Sequence, residues 1–444
     1  VNVWPTKRAD ERRALPCLLG HGGAERATTW PHRDMETLVF AAPPALRPIR
    51  APLTVTWPMA RLVAFADPPD GWSSDRAACA ALAVTLDEAV GVDLKARVEL
   101  RNSLGLTVDR QDVLLADENG RRASQLGPGD RIEGFPLVRL PAGAPGGTYS
   151  LTVRLYDEQL QTWGYDPIDV ARTGRDVPIG AWRVAAARPE LASVAAQLPE
   201  QHVEGVTARR RLLVATSIDV DAVPVLRPGD TLDLTLAWTG SGPLPAVAVA
   251  AADGSWSIPA ARHEGAPGRN TLDWLRAVIP VEAPSGTAVV QTTGGTTLTH
   301  VRIDAPPRID RPPHSQADLD IALGELGRLV GASVEPRVAT PGEPITVTLV
   351  WLAESASRTP LTAFVHLADS LGRAVGQSDA PPAAGQRPTT GWRKGEYVVD
   401  RHRIVVRADA SAGPMHLQTG FYDPETGQRL GLADGSGADG VDLP

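Results

Sequence analysis

The sequence predicts an all-β protein made of tandem immunoglobulin-like or fibronectin-like β-sandwich domains in three diverged copies. Three observations carry that prediction: apolar residues that alternate with a period of two, turn chemistry at short intervals, and internal repetition. Ile345, Val347, Leu349 and Trp351 are separated by Thr346, Thr348 and Val350; Leu232, Leu234, Leu236 and Trp238 alternate in the same way, as do Leu151, Val153 and Leu155. That period belongs to a strand with one buried face. The 444 residues hold 42 glycines and 40 prolines, with Pro-Gly-Asp, Pro-Gly-Glu and Ala-Pro-Gly-Gly between the apolar runs. Such a density leaves little room for long helices and supplies the turns that short strands need. No helix-length amphipathic pattern alternates with the strands, which argues against a parallel α/β sheet.

The repetition is explicit. Arg97–Asp112 (RVELRNSLGLTVDRQD) lies over Phe364–Asp379 (FVHLADSLGRAVGQSD) without a gap, and Ala144–Asp157 (APGGTYSLTVRLYD) lies over Ala410–Asp423 (ASAGPMHLQTGFYD). A middle copy is more diverged: Arg227–Trp238 parallels Thr340–Trp351, and Ala283–Gln291 parallels Ala410–Gln418. Each copy opens with a short strand, at Arg61–Phe65, Arg211–Ala215 and Arg328–Ala332. The repeats are placed at 51–185, 205–304 and 322–432. About seven short strands in roughly 100 residues fit a sandwich. Residues 186–204 and 305–318 read as linkers, the second extended and stiff because of its paired prolines. Residues 1–50 read as an irregular segment packed on the first repeat, and 433–444 as a flexible tail.

Composition excludes several classes. The formal charge is −8, from 44 basic and 52 acidic side chains, and only three of the basic residues are lysines (Lys7, Lys95, Lys394). The longest basic run, Arg209–Arg211, is too short to track phosphates, so no nucleic-acid partner is expected. No apolar run approaches the roughly 18 residues that span a bilayer. The chain begins at Val1 and not at Met, so it reads as a processed or truncated product, and the absence of a signal peptide or membrane anchor here decides nothing about what lies upstream. None of the four asparagines (Asn2, Asn102, Asn119, Asn270) sits in an N-x-Ser/Thr sequence. Cys17 and Cys79 could pair in an oxidising compartment and tie the N-terminal segment to the first repeat; the preferred reading is two separate small apolar residues.

The third repeat carries Pro341-Gly-Glu, Val350-Trp351, Phe364–Leu367, Gln377–Asp379, Pro388–Trp392, Gly395-Glu396, Asp400, Phe421–Asp423, Gly427 and Arg429-Leu430. With these it resembles uncharacterised extracytoplasmic β-sandwich domains that trail multi-pass membrane glycosyltransferase-like proteins in green non-sulfur bacteria. The resemblance is good over 322–432, partial over 51–185 and weak over 205–304. The first repeat has Gly127 where Trp392 stands, and the second lacks the Tyr-Asp pair. The resemblance implies an exported, surface-exposed module and transfers no catalytic residue.

The chain has no Gly-x-Ser-x-Gly elbow, no Walker loop and no His-Glu-x-x-His; His263-Glu264 is followed by Gly265-Ala-Pro, which ends any helix that would hold two metal ligands on one face. His366, His402 and His416 fall on predicted strands of the third repeat, where three imidazoles on one face could bind zinc. Structural or surface roles are preferred, since His402 lies between two arginines. Trp238 and Trp351 read as core anchors. Trp392, with Arg393 and Lys394, is the candidate carbohydrate contact, although an indole there more often caps the end of a sandwich. Tyr156-Asp157 and Tyr422-Asp423 read as structural, the latter leading into a hairpin turn. The functional expectation is a non-catalytic exported surface protein, a structural or adhesive module or an envelope-assembly subunit. Its partners would be other protein subunits or envelope components, with no cofactor and no metal. The alternative is a carbohydrate-binding accessory region of a membrane glycosyltransferase-like protein, with glycans as partner.

Overall fold

The structure, a computed structural model, describes residues 12–15, 17, 26–32, 35–40, 55–57, 59–65, 72–73, 77–157, 176–186, 208–214, 223–238, 244–266, 270–424, 427–434 and 436–443. Among the described residues seven strands recur in each copy, the last strand of the third lying beyond its expected end. The first has β1 (Ala60–Phe65), β2 (Leu82–Leu86), β3 (Leu94–Arg101), β4 (Thr107–Leu114), β5 (Arg131–Gly134), β6 (Gly146–Asp157) and β7 (Val177–Val184). The second has β8 (Ala208–Val214), β9 (Thr231–Trp238), β10 (Val247–Ala251), β11 (Ser257–Pro259), β12 (Thr271–Val278), β13 (Gly286–Thr292) and β14 (Thr297–Ile303). The third has β15 (Gly327–Glu335), β16 (Pro344–Ala353), β17 (Thr362–Ala368), β18 (Ala374–Ala380), β19 (Tyr397–Val405), β20 (His416–Tyr422) and β21 (Val441–Leu443).

The pairing is the same three times. In every repeat the first, second and fifth strands form one sheet in that order, and the fourth, third, sixth and seventh form the other. Short extra strands extend these sheets at Val55–Thr56, Ala261–Arg262, Val225–Leu226 and Ala317–Leu323. This is the strand order of a fibronectin-like sandwich with Greek-key connections. The alternation expected from sequence is realised: Leu151, Val153 and Leu155 are fully buried on β6, facing Leu100, Val98 and Ala96 of β3 across the ladder. On β16, Ile345, Val347, Leu349 and Trp351 are likewise buried. Each such Leu or Val side chain contributes roughly 1.5–3 kcal/mol when withdrawn from water.

The Pro-Gly-acid sequences form one repeated turn. At Gly127–Asp130, Arg227–Asp230 and Thr340–Glu343 the amide of the fourth residue donates to the carbonyl of the first. The same bond closes Arg393–Glu396, a turn without proline. The glycines have φ of +89°, +85°, +93° and +88°, the left-handed value that the third position of a type II turn requires. In all four the terminal carboxylate accepts the amide of the first residue, at 2.9, 2.7, 3.0 and 2.8 Å.

By contact the chain divides into two compact units: Val1–Arg211 with Leu234–Leu244 and Ala261–Leu275, and Leu212–Asp233 with Pro245–Ala260 and Arg276–Pro444. In the first, one continuous core gathers the first repeat together with Ala237, Leu272 and Trp274 of the second. In the second, Trp351, Trp392 and Phe421 centre the core of the third repeat.

Four expectations change. Residues 26–32 and 35–40 pair as an antiparallel hairpin inside the segment read as irregular. Cys17 and Cys79 are joined by a disulfide and are not separate apolar residues; both are buried beside Ala81 and Phe135. The tail contains the seventh strand, β21, which pairs with β20 and buries Val441. The second linker runs at its end into the strand Ala317–Leu323, and its Ile309 bridges to Tyr397. The first linker lies, from residue 187, outside the described residues.

Candidate functional site: the joints between repeats and an uncovered end

The residues singled out as a carbohydrate contact fold into a joint. Trp392 is 2% exposed; its ring packs edge-on against Phe421 at 5.7 Å, and its Nε1 donates to the Arg387 carbonyl at 3.1 Å. No face of the indole is open to a sugar ring, which corrects the carbohydrate reading of Trp392. Lys394 occupies the exposed second position of a type II turn. Arg393 pairs with Asp310 at 3.0 Å and Glu282 at 3.6 Å.

These groups surround a buried acid. Glu396 has no exposed side-chain surface; Arg308 donates to it at 2.5 Å and Arg387 stands at 3.8 Å. Arg308 also donates to the carbonyls of Val281 and Gly391, so one guanidinium from the linker binds the second repeat and the third. Beside it Gly229, in the Pro-Gly-Asp turn of the second repeat, lies so close to Gly391 that a Cβ on Gly229 would collide with the Gly391 backbone and one on Gly391 with the Pro228 carbonyl. The backbone amide of Tyr397 donates to Ile309 at 2.8 Å. The segment read as a linker is therefore clamped at this end.

A comparable joint lies within the first compact unit. Strand Gly265–Ala266 pairs with Gly146 and Gly147 at the start of β6. The Leu272 amide and the Thr271 hydroxyl both donate to the Gly143 carbonyl, at 2.7 and 3.0 Å. Tyr149 donates its hydroxyl back to the Pro145 carbonyl at 2.6 Å, the tyrosine corner of Greek-key sandwiches, and its ring meets His263 at 4.8 Å and Trp274 at 6.1 Å. His263 is 3% exposed, and its Nδ1 accepts the Ser103 amide at 3.1 Å, so Nε2 carries the proton. Nε2 is buried without a partner in the protein, and burial holds the imidazole down at about 4. A cavity of about 240 Å³ adjoins it, lined by Leu244, Arg262, Asp273 and Trp274 among others.

The remaining candidates have structural partners. His366 and His416 stand on neighbouring strands of one sheet, whereas His402 is on β19 of the other, so the three imidazoles do not share a face. His366 stacks on Phe364 with Nε2 3.6 Å from Asp379, and His402 is buried between Asp400 and Ser378, each at 3.1 Å. Among the described residues no cluster of three metal-ligating side chains occurs. Trp238 and Trp351 are core residues as expected, and sequence reasoning missed what anchors them: Trp238 donates to Asp273 at 2.9 Å in the second repeat and Trp351 to Asp400 at 3.4 Å in the third. Tyr156 donates to Asp112 at 2.7 Å, and Asp112 also takes Arg97 at 3.0 Å. Tyr422 bridges Arg429 across the expected hairpin. The side chain of Asp157 lies outside the described residues.

One end of the third repeat is open. A mostly apolar cavity of about 620 Å³ lies between the turn ahead of β16, the loop ahead of β20 and Leu443 at the end of β21. Ile345, Leu367, Val406 and Met415 form its floor, and Val338 on its rim is 87% exposed.

No family model matches the chain, and no curated protein matches it. Solved structures similar to parts of it include the first to third fibronectin domains of chicken CNTN1, at 8% identity and a TM-score of 0.16, covering 87% of this chain and 99% of that one. A DUF4785 family protein of Legionella pneumophila is similar at 10% identity and a TM-score of 0.21, over 90% and 96% of the two chains. The D1–D4 ectodomain fragment of ICAM-5 is similar at 12% identity and a TM-score of 0.15, over 95% and 87%. Likenesses this distant bear on no question of function.

Proposed function

We propose that the chain is a non-catalytic, exported structural module whose sandwich repeats serve at the cell surface as an adhesive or assembly subunit of the envelope. One observation carries this reading: buried charge is placed at the joint between the second and third repeats. Glu396 is enclosed with Arg308 and Arg387, and Gly229 and Gly391 approach at backbone distance, which holds consecutive repeats where a flexible tether would leave them free. Enclosing a carboxylate costs several kcal/mol and is offset only by such pairing. The Cys17–Cys79 bond supports export, because disulfides persist in oxidising compartments. Among the described residues no helix is long and apolar enough to cross a membrane.

Protease shaving and labelling with a membrane-impermeant reagent on intact cells test the reading. The chain should be cleaved and labelled from outside, with both cysteines blocked to alkylation until a reductant is added. Recovery from the cytosol with two free thiols would overturn it.

A further inference from the structure

The two internal joints are built alike. In each, the upstream repeat offers the loop ahead of its sixth strand: Gly143 in one joint, Val281 and Glu282 in the other. The downstream repeat offers the segment between its fourth and fifth strands: His263 to Ala266 in one, Arg387 to Glu396 in the other. Among the described residues one socket and one plug are left over.

The spare socket is the open end of the third repeat. Its loop ahead of the sixth strand, 406–415, lines the 620 Å³ cavity, and Met415 stands where the aligned Tyr149 of the first repeat meets the second. The turn between the third and fourth strands repeats the comparison. Asn102 and Asp369 occupy one position, and each accepts the amides two and four residues on. Two residues further, Leu104 packs partly buried on the core of the first unit, whereas the matching Leu371 is 87% exposed. The same apolar position is covered where a joint exists and bare where none does. The spare plug is the segment between the fourth and fifth strands of the first repeat. It ends in the turn Gly127–Asp130, the counterpart of Arg393–Glu396 in the second joint, and Pro128 and Gly129 are exposed.

We propose that the open end of the third repeat binds the first repeat of a second copy of this chain, head to tail. An interface of that kind uses two different surfaces, so it leaves one of each free on every pair and extends into a chain of copies. Contiguous exposed apolar surface rimmed by polar groups marks such contacts. The inference extends the structural-module reading but rests on the joints alone. A protein that assembles in vitro yet resides in the cytosol would break that reading and leave this one standing.

Sedimentation velocity of the full chain across the micromolar range tests it. Val338→Asp disables the socket and Pro128→Trp the plug; both sites are exposed, and thermal melts establish that each variant is folded. The wild type should assemble with rising concentration, and each variant alone should associate about 100-fold more weakly, because an unpaired charge or a blocked contact meets the apolar groove. Mixed together, the variants should form pairs and nothing larger, since only one working socket and one working plug remain. A wild type that stays monomeric, a variant that assembles like the wild type, or a mixture that stays monomeric while the wild type assembles would each overturn the proposal.

Discussion

His263 shows how one side chain makes a joint sensitive to acid. Its imidazole is neutral in the folded protein, held at about 4 against an ordinary value of 6.5, because burial among Tyr149, Trp274 and the Gly146–Gly147 strand disfavours the cation. The unfolded chain takes up the proton first as pH falls. Stability from this group is therefore whole above 6.5 and drains away towards 4, by about 3 kcal/mol at the limit. Urea unfolding at pH 7 and pH 4.5 (roughly the ends of that window) should show the midpoint falling, with a smaller fall in His263→Gln. An equal fall in both would exclude His263 as the cause. Asp400 is the second informative residue. It accepts from Trp351, from the Ala383 amide at 2.9 Å and from His402, all out of water. Asp400→Ala leaves those donors unpaired and should cost about 2–4 kcal/mol, read as a loss of denaturation midpoint with the slope unchanged.

At the scale of elements, the clamp between repeats and the N-terminal tie decide strength. Arg308→Ala removes the closer of the two guanidinium partners of Glu396, whose side chain is wholly enclosed. Breaking a buried pair from one side costs about 3–5 kcal/mol. Arg308→Met with Glu396→Leu should recover part of that loss in the same unfolding assay, because no charge is then stranded. The disulfide closes a separation of 62 residues and, in the chain-entropy account, contributes about 4 kcal/mol. Reduction should lower the melting temperature of the wild type and leave Cys17→Ala/Cys79→Ala unchanged.

For the whole molecule, the hydrophobic cores do not follow the sequence repeats. The core of the first compact unit runs from the first repeat into Ala237, Leu272 and Trp274 of the second, without a polar break. A chain ending before residue 205 would expose Tyr149 and the Gly146–Gly147 edge, both covered in the joint. Such a fragment should unfold at lower denaturant than the same repeat within the full chain, followed by the fluorescence of Trp72 and Trp182, which pack edge-on at 5.1 Å. Equal midpoints would show that the joint adds nothing to stability.

The all-β class, the three copies and the alternating buried faces were legible in the sequence, because a period of two and the type II turn chemistry act over neighbouring residues. The Pro-Gly-acid turns form as their residues predict, and the proline-free turn at Arg393–Glu396 could have been found by its glycine and acid alone. Four groups could not be placed in this way: the Trp392 indole, the partners of Glu396, the unbonded nitrogen of His263 and the pairing of Cys17 with Cys79. Each depends on groups far apart in the chain, and whether a loop residue faces water or a neighbouring repeat is set by what packs over it. Local sequence determined the strands; burial across the joints decided which polar groups are structural and which loops lie bare.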